Sequence, residues 1–171
     1  MNSKQEKIFE VIKAILQIKN FPEMFKDHTI SYGVLNYVAK YSLAKDKYLI
    51  SKKALDNIKK KNIIKNQSLL RGSKSKKNGF TYEHPIPSNV ISSELVNNRN
   101  DVDMITKILK WSDYIVVLTT EENLSLRNSG LERKMPADWT FFKNDPFERY
   151  KKAGLFQENF SEINVYGQVV R

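Results

Sequence analysis

Apolar residues recur at a helical period in three segments of the first third of the chain. Residues 4–19 carry an apolar residue at every third or fourth position, with charged residues between them. The same period predicts helices over residues 31–44 and 51–64, and Ser51 is placed to cap the third helix. In that third helix the apolar residues fall on one side and the lysines on the other. We therefore predict a helical, basic region over residues 1–70.

The second half of the chain mixes strand and helix patterns. Residues 80–91 begin with strand-favouring side chains, and residues 114–119 form an apolar run that is typical of a strand covered on both faces. A helix is predicted to follow directly, because Thr119 and Glu122 have the spacing of a capping box. Residues 163–170 alternate between apolar and polar side chains, as an edge strand does.

A short polar segment separates the two patterns. Residues 71–79 consist of glycine, serine, lysine, arginine and asparagine, which is the composition of a linker. We therefore predict an α+β protein in which residues 1–70 bind nucleic acid, residues 71–79 link, and residues 80–171 form a second domain.

Composition narrows the class of protein. The chain has 171 residues, of which 40% are hydrophobic, enough for one domain with a core. No run approaches the roughly 18 apolar residues of a membrane span, and the N-terminus lacks an apolar signal region, so we expect a cytoplasmic protein. Because there is no cysteine, any metal must be held by Asp, Glu, His, Asn or water.

The net charge of +10 is concentrated in one stretch. Residues 45–77 contain twelve Lys and Arg against two Asp, while the remaining basic and acidic residues cancel. Such a concentration indicates a polyanion binder, and the alternative is a solvated lysine-rich linker. The residues predicted to contact nucleic acid are Lys52, Lys53, Lys59, Lys60, Lys61, Arg71, Lys74, Lys76 and Lys77.

The dipeptide Glu83-His84 is the strongest candidate for chemistry. Pro85 and Pro87 hold the backbone extended around it, which fixes the direction of the imidazole. A histidine with an ordinary pKa near 6.5 suits a general base. In a strand the two side chains point to opposite sides, so they are expected to serve different partners unless the strand breaks at Pro85. The alternative is a histidine packed in the core beside a solvated glutamate.

The predicted helix after residue 119 carries oxygen ligands in its first turn. Glu122 and Asn123 suit Mg²⁺ or a similar hard cation. Glu122 has a second possible role as the capping-box residue, and both roles stay open at this point.

Together these stretches resemble the HNH, or ββα-metal, endonuclease family. The run Glu83-His-Pro-Ile-Pro87 is similar to the first element of its motif, and Val116-Val-Leu-Thr119 to its second strand. Asn123 falls where the family places a metal ligand on the helix. The chain departs from the family at Asp113, where an Asn is usual, and at Arg127, where a closing His is usual.

The resemblance implies a ββα-metal core with a short two-stranded sheet, and a metal-dependent DNA endonuclease of restriction or mobile-element type. His84 would be the general base, and Glu83 and Asn123, with Glu122 as a further candidate, would hold Mg²⁺ or Mn²⁺. Arg133, with Arg127 and Lys134 as further candidates, would neutralise charge on the phosphorane.

Double-stranded DNA is the expected partner of such an enzyme, and a homodimer would fit cleavage of both strands. Two alternatives stay open. One is a nuclease toxin with an immunity or antitoxin partner, and the other is a non-catalytic basic module that binds nucleic acid.

Overall fold

The computed structural model describes residues 1–26, 30–60 and 79–170. These residues form an α+β protein, as predicted. The helices are α1 (Ser3–Leu16), α2 (Phe21–Lys26), α3 (Ser31–Leu43), α4 (Lys52–Lys60), α5 (Ser88–Asn97), α6 (Val102–Trp111), α7 (Thr120–Asn128) and α8 (Glu148–Lys152). The strands are β1 (Lys47–Ser51), β2 (Phe80–Glu83), β3 (Val116–Thr119) and β4 (Phe160–Asn164).

The described strands form one sheet in the order β2-β3-β1-β4. β1 pairs parallel with β3, whereas β2 pairs antiparallel with β3, and β4 pairs antiparallel with β1. The predicted two-stranded sheet is therefore β2 and β3 within a larger sheet, and β4 lies at an edge. β1 is a strand that the sequence reasoning missed. Its short run, Tyr48-Leu-Ile50, lies next to the stronger helical pattern of α4 and has too few residues to display a period of its own.

The two faces of the sheet are covered by different helices. On one face Ala54, Leu55 and Ile58 of α4 pack against Ile50 and Val117. On the other face Leu126 of α7 and Phe147 and Tyr150, at the start of and within α8, pack against Val116 and Leu118. β3 is buried along its whole length, as the apolar run predicted.

A third cluster of buried side chains joins helices from both ends of the chain. Phe9 and Ile12 of α1 and Val38 of α3 share it with Leu95 of α5 and Ile108 of α6. Helices that precede residue 70 are thus packed with helices that follow residue 80, and β1 lies inside the sheet. The predicted linker, apart from Gly79, lies outside the described residues. In the described ranges, no helix combines the length and the apolar character needed to cross a membrane.

Candidate active site around His84

Glu83 and His84 lie where β2 ends. In the antiparallel register Glu83 faces Val116, the first residue of β3. Because paired residues share a face, Glu83 is directed to the side covered by α7 and α8. His84 follows after the strand has ended, and both residues border one cavity of about 620 Å³. The two side chains therefore have different partners and still reach a common space.

The imidazole of His84 is almost completely buried, with 8% of the residue exposed. Its Nδ1 lies 3.5 Å from the hydroxyl of Ser88. Its Nε2 is buried and has no hydrogen-bond partner among the described residues. Burial, and secondly the positive charge of Arg149, lowers the pKa of His84 from 6.5 to about 4. His84 is therefore a neutral imidazole at pH 7, with one nitrogen left to accept a proton.

The cation nearest this dipeptide is Arg149 of α8, which is fully buried. Nε donates to the carbonyl of Pro85 (2.7 Å), Nη1 to those of Leu131 (2.8 Å) and Glu132 (3.0 Å), and Nη2 to the carboxylate of Glu83 (3.1 Å) and the carbonyl of His84. The pattern Phe147-Glu-Arg-Tyr150 predicts a packed helix with an ion pair at the surface. The helix is present, but the predicted surface position of Arg149 is wrong, because its side chain is buried and pairs with Glu83. Phe147 and Tyr150 flank the Glu148-Arg149 pair and are buried, but the local pattern does not single out Arg149 as the member that is turned inward.

The carboxylate of Glu83 belongs to this buried ion pair. Burial raises the pKa of Glu83, and the adjacent guanidinium of Arg149 opposes that increase. The carboxylate of Glu83, which the resemblance assigns to the metal, accepts a hydrogen bond from Arg149. Here a guanidinium supplies the positive charge.

Glu122 acts as the capping residue of α7. Its Oε2 accepts a hydrogen bond from the backbone N–H of Thr119 at 2.8 Å, and the Thr119 hydroxyl accepts from the N–H of Glu122 at 3.2 Å. The hydroxyl of Ser51 donates to the same carboxylate oxygen at 2.7 Å and also accepts from the N–H of Ala54 at the start of α4. The predicted caps at Thr119 and Ser51 are both confirmed, and Glu122 connects them.

The start of α7 lies at the other end of the β2–β3 pair from His84. Thr119 faces Phe80, three residues along the ladder from the Glu83 pair, which corresponds to about 10 Å of strand. Glu122 borders a different cavity, of about 320 Å³, with Ser51 and Lys53. Asn123 does not line the His84 cavity, although its buried Oδ1 has no hydrogen-bond partner in the described part of the chain.

The predicted metal ligands are consequently not assembled. Glu83 accepts from Arg149, Glu122 accepts from Ser51 and Thr119, and the described residues contain no group of three His, Asp or Glu side chains that could hold a metal ion. The residues as arranged do not fit Mg²⁺ or Mn²⁺, so metal dependence stays a prediction from the resemblance alone.

Arg133 is brought to the same cavity as Glu83 and His84. It is exposed, and the side-chain amide of Asn89 donates to its carbonyl at 3.0 Å, which fastens this loop to α5. Three of the four residues predicted to be catalytic thus share one cavity, and the fourth, Asn123, does not line it.

Asp113 lies in the turn before β3, where the family has its Asn. Its carboxylate accepts from the side chain of Gln5 at 2.9 Å and forms an ion pair with Lys45 at 3.3 Å. It therefore connects the turn to α1 and to the residues before β1.

The predicted basic surface is partly described. Lys52, Lys53, Lys59 and Lys60 are exposed on α4, whose apolar side packs on the sheet. Lys53 forms an ion pair with Glu121, which leaves three of these lysines for a polyanion. Lys61, Arg71, Lys74, Lys76 and Lys77 lie outside the described residues.

Comparisons with known proteins add no family. No protein-family model matches the chain, and neither the curated proteins nor the solved structures give a match.

Proposed function

We propose that the protein is an endonuclease that hydrolyses phosphodiester bonds in DNA, with His84 as its general base. One observation carries the proposal. His84 is a neutral imidazole whose Nε2 has no partner among the described residues, and it borders a cavity that it shares with Glu83 and Arg133. A buried polar atom without a partner is uncommon, and in a cavity wall it is a candidate for chemistry.

In this mechanism one residue takes a proton from the attacking water, and another stabilises the negative charge that develops on the phosphate. Nε2 of His84 accepts a proton from a water molecule, and the water oxygen attacks phosphorus while the bond to the leaving oxygen breaks. Arg133 borders the same cavity and stabilises the negative charge of the phosphorane. Arg149 holds the carbonyls of His84 and Pro85 and so positions the imidazole.

The low pKa of His84 affects its action as a base in two opposite ways. A pKa of about 4 makes the imidazole a weaker base than an ordinary histidine. The same low pKa keeps the imidazole neutral throughout the neutral pH range, so one of its two nitrogens carries no proton. The base is therefore available without a prior deprotonation.

The lysines of α4 support nucleic acid as the substrate. Lys52, Lys59 and Lys60 lie on the outer side of a helix that is anchored on the sheet by Ala54 and Ile58. Contacts of this kind to phosphates position a duplex and carry little sequence information. Cleavage of a recognition site and indiscriminate cleavage are both compatible with them.

The test is nicking of supercoiled plasmid by the purified protein with Mg²⁺ or Mn²⁺, with and without EDTA. Loss of the base is expected to slow nicking by about 10²–10⁴-fold in His84→Ala, while DNA binding is retained. His28→Ala is the matched control, because it removes the chain's other histidine. Wild-type rates in His84→Ala would refute the assignment, and unchanged rates in EDTA would refute metal dependence.

A second candidate is a non-catalytic module that binds nucleic acid through α4. The pairing of Glu83 with Arg149 favours it, because that ion pair accounts for the carboxylate without any catalysis. It predicts salt-sensitive binding and no cleavage with either metal. The endonuclease could also act as a toxin. In that case its expression is lethal unless an immunity or antitoxin partner is present.

A further inference from the structure

The cavity beside His84 has a second wall on α3. Tyr32, Leu35, Ala39 and Leu43 border it, and their spacing of three and four residues places them on one side of that helix. Val34, Val38 and Tyr41 form the opposite, buried side. α3 therefore buries one apolar stripe in the core and presents another to the cavity.

The stripe on the cavity side is unusually open. Tyr32 is 77% exposed and Leu43 is 38% exposed. Pro87 and Ile115 add apolar surface to the lining beside His84. At about 620 Å³ the space is within the usual range of small-ligand cavities, roughly 300–1,000 Å³.

The polar residues of the cavity indicate what enters it. Asn36 and Asn89 supply side-chain amides and Arg133 supplies a guanidinium, which are groups that recognise a base edge and a phosphate. Two carboxylates also border the cavity: that of Glu83 is paired with Arg149, and Glu132 is exposed.

We infer that this cavity receives one unpaired nucleobase of the substrate, which stacks on Tyr32 while its phosphate contacts Arg133. The inference rests on the proposed function, because it assigns the substrate of the same site. It requires a nucleotide that is single-stranded or turned out of the duplex, since a base inside a helix cannot reach the wall of a cavity.

The experiment measures binding of single-stranded oligonucleotides that contain 2-aminopurine, a fluorescent base, to the full-length protein, with phosphorothioate linkages in the oligonucleotide so that cleavage does not interfere. Insertion of the base is expected to change its fluorescence. Tyr32→Ala is expected to weaken binding by about tenfold or more, the usual effect of losing one stacked base. Tyr32→Phe keeps the ring and is expected to bind like the parent.

Tyr166→Ala is the matched control, because this tyrosine is also exposed (52%) but follows β4 and does not line the cavity. Equal binding by the Tyr32→Ala protein and its parent would overturn the inference, as would equal binding of an oligonucleotide that lacks the base at the probed position. These results are separate from plasmid nicking. A protein that does not nick refutes the proposed endonuclease and leaves the binding result to decide on the cavity.

Discussion

The guanidinium of Arg149 donates to the carboxylate of Glu83 over 3.1 Å and to the main-chain carbonyl of His84, so one buried side chain holds both residues of the dipeptide. Its remaining bonds reach Pro85 and the loop that follows α7. Arg149 therefore connects the end of β2 to the segment that carries Arg133. The geometry of the cavity depends on a residue of α8 that does not line it.

Replacing Arg149 is expected to be strongly destabilising. In Arg149→Met the carboxylate of Glu83 and four main-chain carbonyls lose their donor, and breaking a buried ion pair costs about 3–5 kcal/mol. Arg149→Lys is expected to lose less, because it keeps the charge, but an ammonium has three donors for five acceptors. Urea unfolding followed by circular dichroism measures both.

Two further variants test whether the loss of stability in Arg149→Met comes from the unpaired charge of Glu83. Arg127→Met is the control, because Arg127 is exposed and its loss should change stability little. Adding Glu83→Gln to Arg149→Met is expected to recover part of the stability, since it removes the unpaired buried carboxylate. If the single variant were as stable as the wild type, the ion pair would not organise the site.

The low pKa of His84 makes stability depend on pH. The folded state has a pKa of about 4 and the unfolded state the ordinary 6.5, so between these values the unfolded chain binds more protons. The contribution is complete above pH 6.5 and is lost as the pH falls towards 4. From pH 7 to pH 5 the loss amounts to about 2 kcal/mol.

His84→Asn isolates this effect, because burial also raises the pKa values of Glu83 and Asp113, whose contributions have the opposite sign. The free energy of unfolding should therefore decline more steeply below pH 6.5 in the wild type than in His84→Asn. Parallel curves for the two proteins would contradict a buried neutral imidazole. If His84 is the base, nicking should likewise keep its rate at pH 6 and fall only near pH 4.

Glu122 offers a test of capping against metal binding. Glu122→Ala removes the acceptor of the Thr119 N–H and of the Ser51 hydroxyl, and losing such a cap costs about 1–2 kcal/mol. Glu121→Ala is the control, because that exposed neighbour forms a surface ion pair with Lys53 and should matter little. Thermal unfolding of both variants tests the cap, and loss of nicking in a Glu122→Ala protein of undiminished stability would instead give this carboxylate a role in cleavage.

The sequence predicted those parts of the fold that local patterns determine. The caps at Ser51 and Thr119, the buried strand β3 and the outward lysines of α4 follow from spacing within a few residues. β1 and the role of Arg149 did not follow, because each depends on partners far away in the chain. Strand β1 pairs with β3 and β4, and Arg149 bonds to residues 64 to 66 positions earlier.

The same distinction applies to the candidate site. Glu83 and His84 are neighbours in the sequence, and they reach one cavity because β2 ends at Glu83, just before Pro85. The register of β2 on β3 was not predictable, and it places Asn123 and Glu122 at the other end of the pair. Motif spacing grouped Glu83, Glu122 and Asn123 as ligands of one metal. The distance between Glu83 and the other two is set by the register of β2 on β3.

The lysines of α4 make a quantitative prediction for DNA binding. Each lysine that contacts a phosphate contributes roughly 0.9 to the slope of log affinity against log salt concentration on duplex DNA. Changing Lys52, Lys59 and Lys60 to Gln is therefore expected to weaken binding and to reduce the slope by roughly 2 to 3. Fluorescence anisotropy of a labelled duplex over a series of salt concentrations measures both the affinity and the slope.

The matched control for these three lysines changes Lys4, Lys7 and Lys110 to Gln. They are also exposed, on α1 and α6, and their replacement removes the same net charge. An equal effect of the two triple variants would mean that only the overall charge matters, and that α4 is not the surface that lies against the phosphates.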